Sequence, residues 1–308
     1  VFEEGCAEAG VPLLFWREVP VDPHDLGETA RACMPTILQA FLGRPDDTPA
    51  GDAFERRLYV CRRTIEKKAD AEFALRNKIF YVCSMSSRTI VYKGMLVATQ
   101  MRRFFIDLND AAVKTAVALV HSRYSTNTTP SWERAHPNRF IIHNGEINTL
   151  KGNVNWIRAR EPNLYSPVLQ HDLERVMPII NREGSDSAIL DNVLEFLVMN
   201  GRPLTRAASM LLPEPWDHND SLSGERRAYD AYQSMLMEPW DGPAAIAFTD
   251  GRTLGAALDR NGLRPARYYV TRDGRFMLAS EVGTIEVSPE NILCLLYTSP
   301  SPRDTERS

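Results

Sequence analysis

Two Asp-Gly pairs, each flanked by runs of strand-forming residues, constrain the fold of this chain most strongly. They lie in PAAIAFTDGRTLGAALD, at Asp250 and Gly251, and in RYYVTRDGRFMLASE, at Asp273 and Gly274. Asp-Gly is typical of a two-residue hairpin turn, because the turn requires a positive φ that glycine adopts readily. Both segments are therefore predicted to form antiparallel hairpins.

The rest of the chain alternates between strand-like and helix-like patterns. Helical spacing is found in residues 149–161, 187–200 and 224–237, and a further helix is predicted from Leu26 to Phe41. Strand-like runs are found in residues 13–21, 54–66, 113–125 and 138–145. Strands, then helices, then strands again predict an α+β fold with antiparallel sheets and segregated helices.

Composition excludes several classes of function. A formal net charge of −4 and a pI near 5.9 give no electrostatic reason to expect binding to nucleic acid or to a membrane surface. The five cysteines show no C-x-x-C spacing, so we expect free thiols in a reducing compartment, and the six scattered histidines predict no metal site. Without a long apolar run or a signal peptide, the sequence predicts a cytoplasmic protein.

Three places carry side chains suited to an amino-acid substrate. The pair Asn144-Gly145 follows a strand run; an Asn-Gly pair is by default a hairpin turn, but its amide and backbone N–H groups also suit an oxyanion hole. Arg123 is either a surface arginine or a bidentate ligand for a carboxylate. Asp186 precedes an apolar helix, and is either a helix cap or the partner of an ammonium group.

Five motifs in this order resemble one known family. They are HSRYSTNT, HNGEINTLKGNVNWIRARE, GSDSAILD, MEPWDGPAAIAFTDGR and LDRNGLRPARYYVTRDG, and the resemblance runs from about residue 13 to 292. They resemble the class II (N-terminal nucleophile) glutamine amidotransferase domain of the glutamate synthase large subunit.

The resemblance implies a fold and a site. The fold would be a four-layer αββα sandwich of two antiparallel sheets, which hydrolyses glutamine to glutamate and ammonia. Arg123 would bind the α-carboxylate of glutamine, Asp186 its α-amino group, and Asn144 with Gly145 the tetrahedral oxyanion; Thr126 would be a further contact. Residues 259–265 and 238–242 are expected to support the site as a tight turn and as the segment before a strand.

The resemblance also implies a larger parent protein. There the ammonia would join 2-oxoglutarate, using FMN, an iron-sulfur cluster and electrons from NADPH or ferredoxin, and none of those sites is expected in these residues. The expected partners are glutamine, the remainder of the synthase chain, and a small reductase subunit or ferredoxin. A plant-type parent would place the domain in an organelle stroma instead of the cytoplasm.

The two ends of the sequence lead to further expectations. The family's nucleophile is an N-terminal cysteine whose own α-amino group acts as the base, whereas this sequence starts at Val1. We therefore expect an incomplete domain, residues 1–293, without the nucleophile and without glutaminase activity on its own. The Ser/Pro/Arg-rich residues 294–308 are expected to be a disordered, non-native tail.

None of the cysteines present is expected to replace that nucleophile. Acidic neighbours in EEGCAEAG would raise the pKa of Cys6, which is predicted to lie in a helix, and Cys33, Cys61 and Cys83 are predicted to be core residues. A noncatalytic module that binds glutamine or a partner through the same pocket is the alternative function. A different N-terminal-nucleophile hydrolase is disfavoured, because Arg123 and Asp186 suit a free amino acid better than a peptide.

Overall fold

The structure is a computed structural model that describes residues 1–73, 80–124, 129–217, 222–259, 262–281 and 283–297. Within these residues the α-helices are α1 (Phe2–Glu8), α2 (Glu28–Ala32), α3 (Asp52–Phe73), α4 (Met101–Phe104), α5 (Leu150–Arg160), α6 (Leu173–Val176), α7 (Asp186–Met199), α8 (Leu204–Leu211) and α9 (Gly224–Leu236). The strands are β1 (Leu13–Glu18), β2 (Leu38–Leu42), β3 (Ile141–Gly145), β4 (Ala244–Thr249), β5 (Leu254–Leu258), β6 (Arg267–Thr271), β7 (Phe276–Ala279) and β8 (Ile292–Tyr297). Short 3₁₀ segments lie at Ala98–Gln100, Ile106–Asn109, Glu161–Asn163, Gln170–Asp172 and Pro289–Asn291.

The chain divides into two compact units. The first comprises Val1–Ile142, Ile157–Leu204 and Thr249–Leu254, and the second comprises His143–Trp156, Thr205–Phe248 and Gly255–Ser308. Strands β1 and β2 pair antiparallel in the first unit. A sheet of order β7-β6-β8, antiparallel throughout, lies in the second unit, and a third sheet has the order β3-β4-β5.

Helix α3 corrects the strand predicted for residues 54–66. Its apolar residues Phe54, Leu58, Cys61 and Ile65 recur at intervals of four, three and four, and all four are buried against α1. This spacing places them on one face of a helix, so the apparent alternation had the wrong period. Gly5 of α1 makes the close packing possible, because a Cβ there would lie 2.5 Å from Ile65 Cγ1.

Other predicted elements differ in type or extent. Residues 26–41 form only the short α2 before β2 begins, because Leu38–Leu42 pair with β1 instead of continuing a helix. Residues 113–124 form no strand, and Val113 and Val120 are 51% and 76% exposed. Strand propensity is realised by packing against neighbouring strands, which these exposed side chains lack.

Both predicted hairpins are present. Gly251 and Gly274 have φ of +84° and +83°, as their turns require, and β6 pairs with β7 from Arg267 opposite Ala279 to Val270 opposite Phe276. Strand β8 then pairs with the other edge of β6, with Cys294 opposite Val270. Residues 294–297 thus belong to β8. Residues 298–308 lie outside the described part, so the predicted domain boundary at residue 293 and the predicted tail stay predictions.

Candidate active site

Asn144 and Gly145 form the end of β3, where the backbone of another segment passes very close. Gly145 has φ +137°, and a Cβ there would lie 1.8 Å from the carbonyl oxygen of Pro243. The next residue, Glu146, donates its N–H to that same oxygen at 3.1 Å. Only glycine fits this position, so the conformation of the Asn-Gly pair is fixed by the neighbouring backbone and not by a hairpin turn of its own.

Residues 238–243 support the segment that follows β3. Asn148 donates its backbone N–H to the Asp241 carbonyl at 2.8 Å, and Asp241 in turn donates its N–H to Thr149 Oγ1 at 2.9 Å. The buried Asn153 donates from Nδ2 to the Pro239 carbonyl at 3.1 Å. These bonds agree with the predicted supporting role of residues 238–242.

Asp259 organises the turn predicted at residues 259–265. Its buried carboxylate accepts backbone N–H groups from Ala244 at 3.1 Å, Leu263 at 3.0 Å and Arg264 at 3.1 Å. Its own N–H donates to the Ala244 carbonyl at 2.7 Å. One carboxylate thus holds the turn against the start of β4, and this agrees with the structural role predicted for Asp259; residues 260 and 261 lie outside the described part.

Asp186 is the first residue of α7 and is 9% exposed. The N-cap is Ser185, whose side chain accepts the Ala188 N–H at 3.2 Å. Asp186 itself accepts the N–H of Ser187 at 2.7 Å. Because Ser185 performs the capping, the alternative interpretation of Asp186 as the helix cap is wrong.

Arg123 is exposed and lies in an irregular segment, where its backbone N–H contacts His121 Nδ1 at 3.2 Å. The prediction that it ends a strand is wrong. Thr126 lies outside the described residues. Arg123 and Asp186 belong to the first compact unit and Asn144 with Gly145 to the second, so their convergence on one substrate stays a prediction.

Asp191, a buried carboxylate that was not predicted from the sequence, binds the start of β3. Asp191 of α7 is 1% exposed and accepts backbone N–H groups from Arg139 at 3.1 Å, Phe140 at 2.8 Å and Ile141 at 3.0 Å. Burial, reinforced by the charge of Glu195, raises the pKa of Asp191 to about 6, although Arg139 and the backbone donors act in the opposite direction. An aspartate within the apolar run SAILDNVLEFLVMN was the available signal.

A buried ion cluster lies next to Asp191 in the first unit. Arg62 is 2% exposed and contacts Glu66 at 2.7 Å and Glu195 at 2.5 Å, while Arg139 reaches Glu66 at 2.9 Å. Burial alone would raise the pKa of Glu66, but Arg62, Arg139 and Arg63 outweigh it and lower that pKa to about 2. Glu66 therefore stays ionised throughout the physiological range.

The environments of the cysteines agree only in part with those predicted from the sequence. Cys61 and Cys6 are buried with their sulfur atoms 3.8 Å apart; the thiol of Cys61 donates to Cys6, which lowers the pKa of Cys6 and corrects the increase expected from its acidic neighbours. Cys33 is exposed, so its predicted core position is wrong. In the described part of the chain no three His, Cys, Asp or Glu residues are grouped so that they could hold a metal ion.

The described residues include no helix that is long and apolar enough to cross a bilayer.

Comparison with known proteins gives consistent matches over almost the whole chain. The sequence model of the family "Glutamine amidotransferases class-II" matches residues 1–300. "Glutamate synthase [NADPH] large chain" of Bacillus subtilis is 53% identical over 286 residues, which cover 93% of this chain and 19% of that protein. "Glutamate synthase [NADH]" of Saccharomyces cerevisiae is 47% identical over 305 residues, covering 99% of this chain and 14% of that protein.

A plant protein matches over a similar range. "Ferredoxin-dependent glutamate synthase 1, chloroplastic/mitochondrial" of Arabidopsis thaliana is 43% identical over 298 residues, which cover 95% of this chain and 18% of that protein. The chain thus spans less than one fifth of the length of these relatives.

Proposed function

Because the chain belongs to the class-II glutamine amidotransferase family, we propose that it binds L-glutamine and serves as the amidotransferase part of a glutamate synthase. In that role it hydrolyses the side-chain amide to glutamate and ammonia. The ammonia passes to a synthase site in the remainder of the parent protein, where it is added to 2-oxoglutarate. The single observation that carries this proposal is the match to glutamate synthases, at 43–53% identity, over nearly the entire chain.

The residues of the site have distinct roles in this proposal. The exposed guanidinium of Arg123 binds the α-carboxylate as a bidentate donor, and the buried carboxylate of Asp186 accepts from the α-ammonium group. Asn144 and Gly145 donate to the oxygen that gains negative charge when the amide is attacked. Thr126 is a further contact to the substrate. The fixed backbone at Gly145 supports this role, because an oxyanion hole stabilises charge only if its donors are already in place.

We propose a four-layer αββα sandwich as the architecture of the complete domain. The support is the family membership together with helices and antiparallel sheets in the described residues. FMN, an iron-sulfur cluster and a reductase subunit or ferredoxin belong to the parent protein in this proposal. The three relatives are named for three electron donors, NADPH, NADH and ferredoxin, so the donor of the parent is a separate property from the amidotransferase fold.

Calorimetric titration with L-glutamine tests the proposal. A charge-assisted hydrogen-bond pair contributes about 1.5–3 kcal/mol, so Arg123→Gln is expected to weaken binding by about 10- to 150-fold. Asp186→Asn is expected to weaken it by a similar factor, and Arg102→Gln, at an exposed arginine of α4, provides the matched control. Unchanged affinity in both site variants would refute the assigned roles, and no measurable binding of L-glutamine to the unsubstituted chain would refute the proposal itself.

A further inference from the structure

The first compact unit contains a cavity of about 310 Å³. Its walls are one face of α3, residues 84–89, the C-terminal end of α7 and residues 201–204. Arg123 and Asp186 do not line it, so it is distinct from the two glutamine-binding residues assigned to this unit. Its volume is at the lower end of the range of about 300–1,000 Å³ that is typical of small-molecule sites.

Eight of the lining residues carry charged side chains, and ion pairs neutralise four of these eight. Arg88 pairs with Asp52, Arg62 pairs with Glu195, and Arg139 pairs with Glu66. The four arginines and four carboxylates of the wall balance in number, so the cavity has no general attraction for multiply charged anions. These lining residues are Arg56, Arg88, Arg139, Arg202, Asp52, Glu55, Glu195 and Asp250.

Arg56 and Arg202 are the exceptions among these arginines. Neither guanidinium forms an ion pair with a carboxylate among the described residues. Arg56 donates from Nε to the Met199 carbonyl at 2.8 Å, a bond that fixes its side chain and engages neither of its terminal nitrogens. Burial lowers the pKa of Arg56, and the charge of Asp52 only partly opposes this effect, so the guanidinium remains costly to keep charged. A carboxylate is the ligand whose geometry matches a guanidinium best.

The remaining wall limits the charge and size of that ligand. Glu55 is 7% exposed and accepts from Ser86 Oγ at 2.7 Å and from the Ser87 N–H at 2.8 Å, so neutral donors hold its carboxylate. Within the described part of the chain the carboxylates of Glu55 and Asp250 pair with no arginine, and they repel a dianion such as phosphate more strongly than a monoanion because the repulsion grows with the charge of the ligand. Met85 and Val198 supply apolar surface for a short hydrocarbon chain.

We propose that this cavity binds a small organic monocarboxylate whose carboxylate group is held by Arg56 and Arg202. None of the residues proposed to bind glutamine lines this cavity, and all of its lining residues belong to the first unit. A ligand there would contact α3, α7 and the segment 84–89 together. Its binding would therefore stabilise the folded chain by mass action.

An NMR chemical-shift titration of the purified chain with butyrate, and separately with inorganic phosphate, tests this proposal. Butyrate is expected to give saturable shifts of cavity residues, and phosphate is not. Arg202→Gln is expected to weaken butyrate binding at least about tenfold, because one charge-assisted bond contributes about 1.5–3 kcal/mol. Arg56→Gln should act in the same direction but also removes the bond to Met199, so Arg202 is the cleaner position.

Two matched variants serve as controls. Arg102→Gln removes an exposed arginine of the same unit, and Arg123→Gln removes the proposed glutamine ligand. Neither is expected to change the shifts of the cavity residues with butyrate. The proposal is overturned if butyrate causes no saturable shifts there, if phosphate binds as tightly, or if Arg202→Gln binds butyrate like the wild type.

Discussion

Replacement of Asp191 by asparagine should change how the stability of the chain depends on pH. The pKa of this carboxyl group is raised from its ordinary 3.8 to about 6, chiefly by burial. Because the folded pKa is the higher one, the folded state holds the proton more tightly than the unfolded state. Stability from this group is therefore present at low pH and is lost as pH rises through about 6.

The magnitude follows from the two pKa values. One pKa unit corresponds to about 1.4 kcal/mol, so a shift from 3.8 to about 6 gives roughly 3 kcal/mol over the whole titration. Between pH 4.5 and pH 7 the same relation lowers the contribution of Asp191 to the free energy of unfolding of the wild type by about 2 kcal/mol. The amide introduced by Asp191→Asn is neutral throughout this range, so the variant would not show this loss. The free energy of unfolding of the wild type minus that of Asp191→Asn should thus fall by about 2 kcal/mol over that interval.

Urea denaturation at pH 4.5, 5.5, 6.5 and 7 measures this difference, and other titrating groups cancel because both proteins contain them. Asp46→Asn, at an exposed aspartate of the same unit, is the matched control for the loss of a carboxylate. Asp191→Ala removes the acceptor of three backbone N–H groups and should be destabilised by at least about 3 kcal/mol at every pH. A wild-type minus Asp191→Asn difference that stays constant with pH would refute the reasoning.

Three further predictions concern single residues. Thermal melting of Gly145→Ala should show a loss of more than about 2 kcal/mol of stability, because the new Cβ would clash with the Pro243 carbonyl. Gly152→Ala, on the open face of α5, should instead gain about 0.5–1 kcal/mol. Equal effects of the two substitutions would contradict the close approach of Pro243 to Gly145. Asp259→Ala should abolish hydrogen-exchange protection at the amides of residues 244, 263 and 264, and retained protection would exclude its role in the turn. The lowered pKa of Glu66 contributes roughly 3 kcal/mol to the free energy of unfolding above pH 4.5, and this contribution is lost as pH falls through about 2. Urea denaturation of Glu66→Gln should therefore show a loss of at least that amount at pH 7, and the loss should become smaller in acid. A loss of stability independent of pH would count against the ion cluster.

The sequence predicts correctly those helices and turns that are determined by residues close together in the chain. Both Asp-Gly hairpins could be identified because their glycines need positive φ, and α7 because its cap and apolar run are contiguous. Residues 54–66 of α3 were predicted to be a strand, because arginines lie between its apolar residues and give an alternation that is typical of a strand. The strand predicted for residues 113–125, which include Arg123, is absent from the described residues 113–124 for a different reason. The β-branched residues of this segment favour a strand only where a partner strand is available.

The candidate site shows a similar division between local and distant causes. The requirement for glycine at position 145 depends on Pro243, which is nearly one hundred residues away, and no local pattern reveals this contact. The roles of Asp191 and Glu66 likewise depend on distant partners, Phe140 for one and Arg139 for the other. The motifs predict which residues carry the polar groups that bind glutamine, but the sequence does not provide the geometry of these residues.

A crystal structure of the chain with bound L-glutamine tests the central claim most directly. The account predicts one glutamine molecule with its α-carboxylate on the Arg123 guanidinium, its ammonium group on the Asp186 carboxylate, and its side-chain carbonyl within hydrogen-bond distance of Asn144 and the Gly145 N–H. Glutamine bound away from these residues, or any of the three anchors lying beyond reach of a single glutamine molecule, would contradict it.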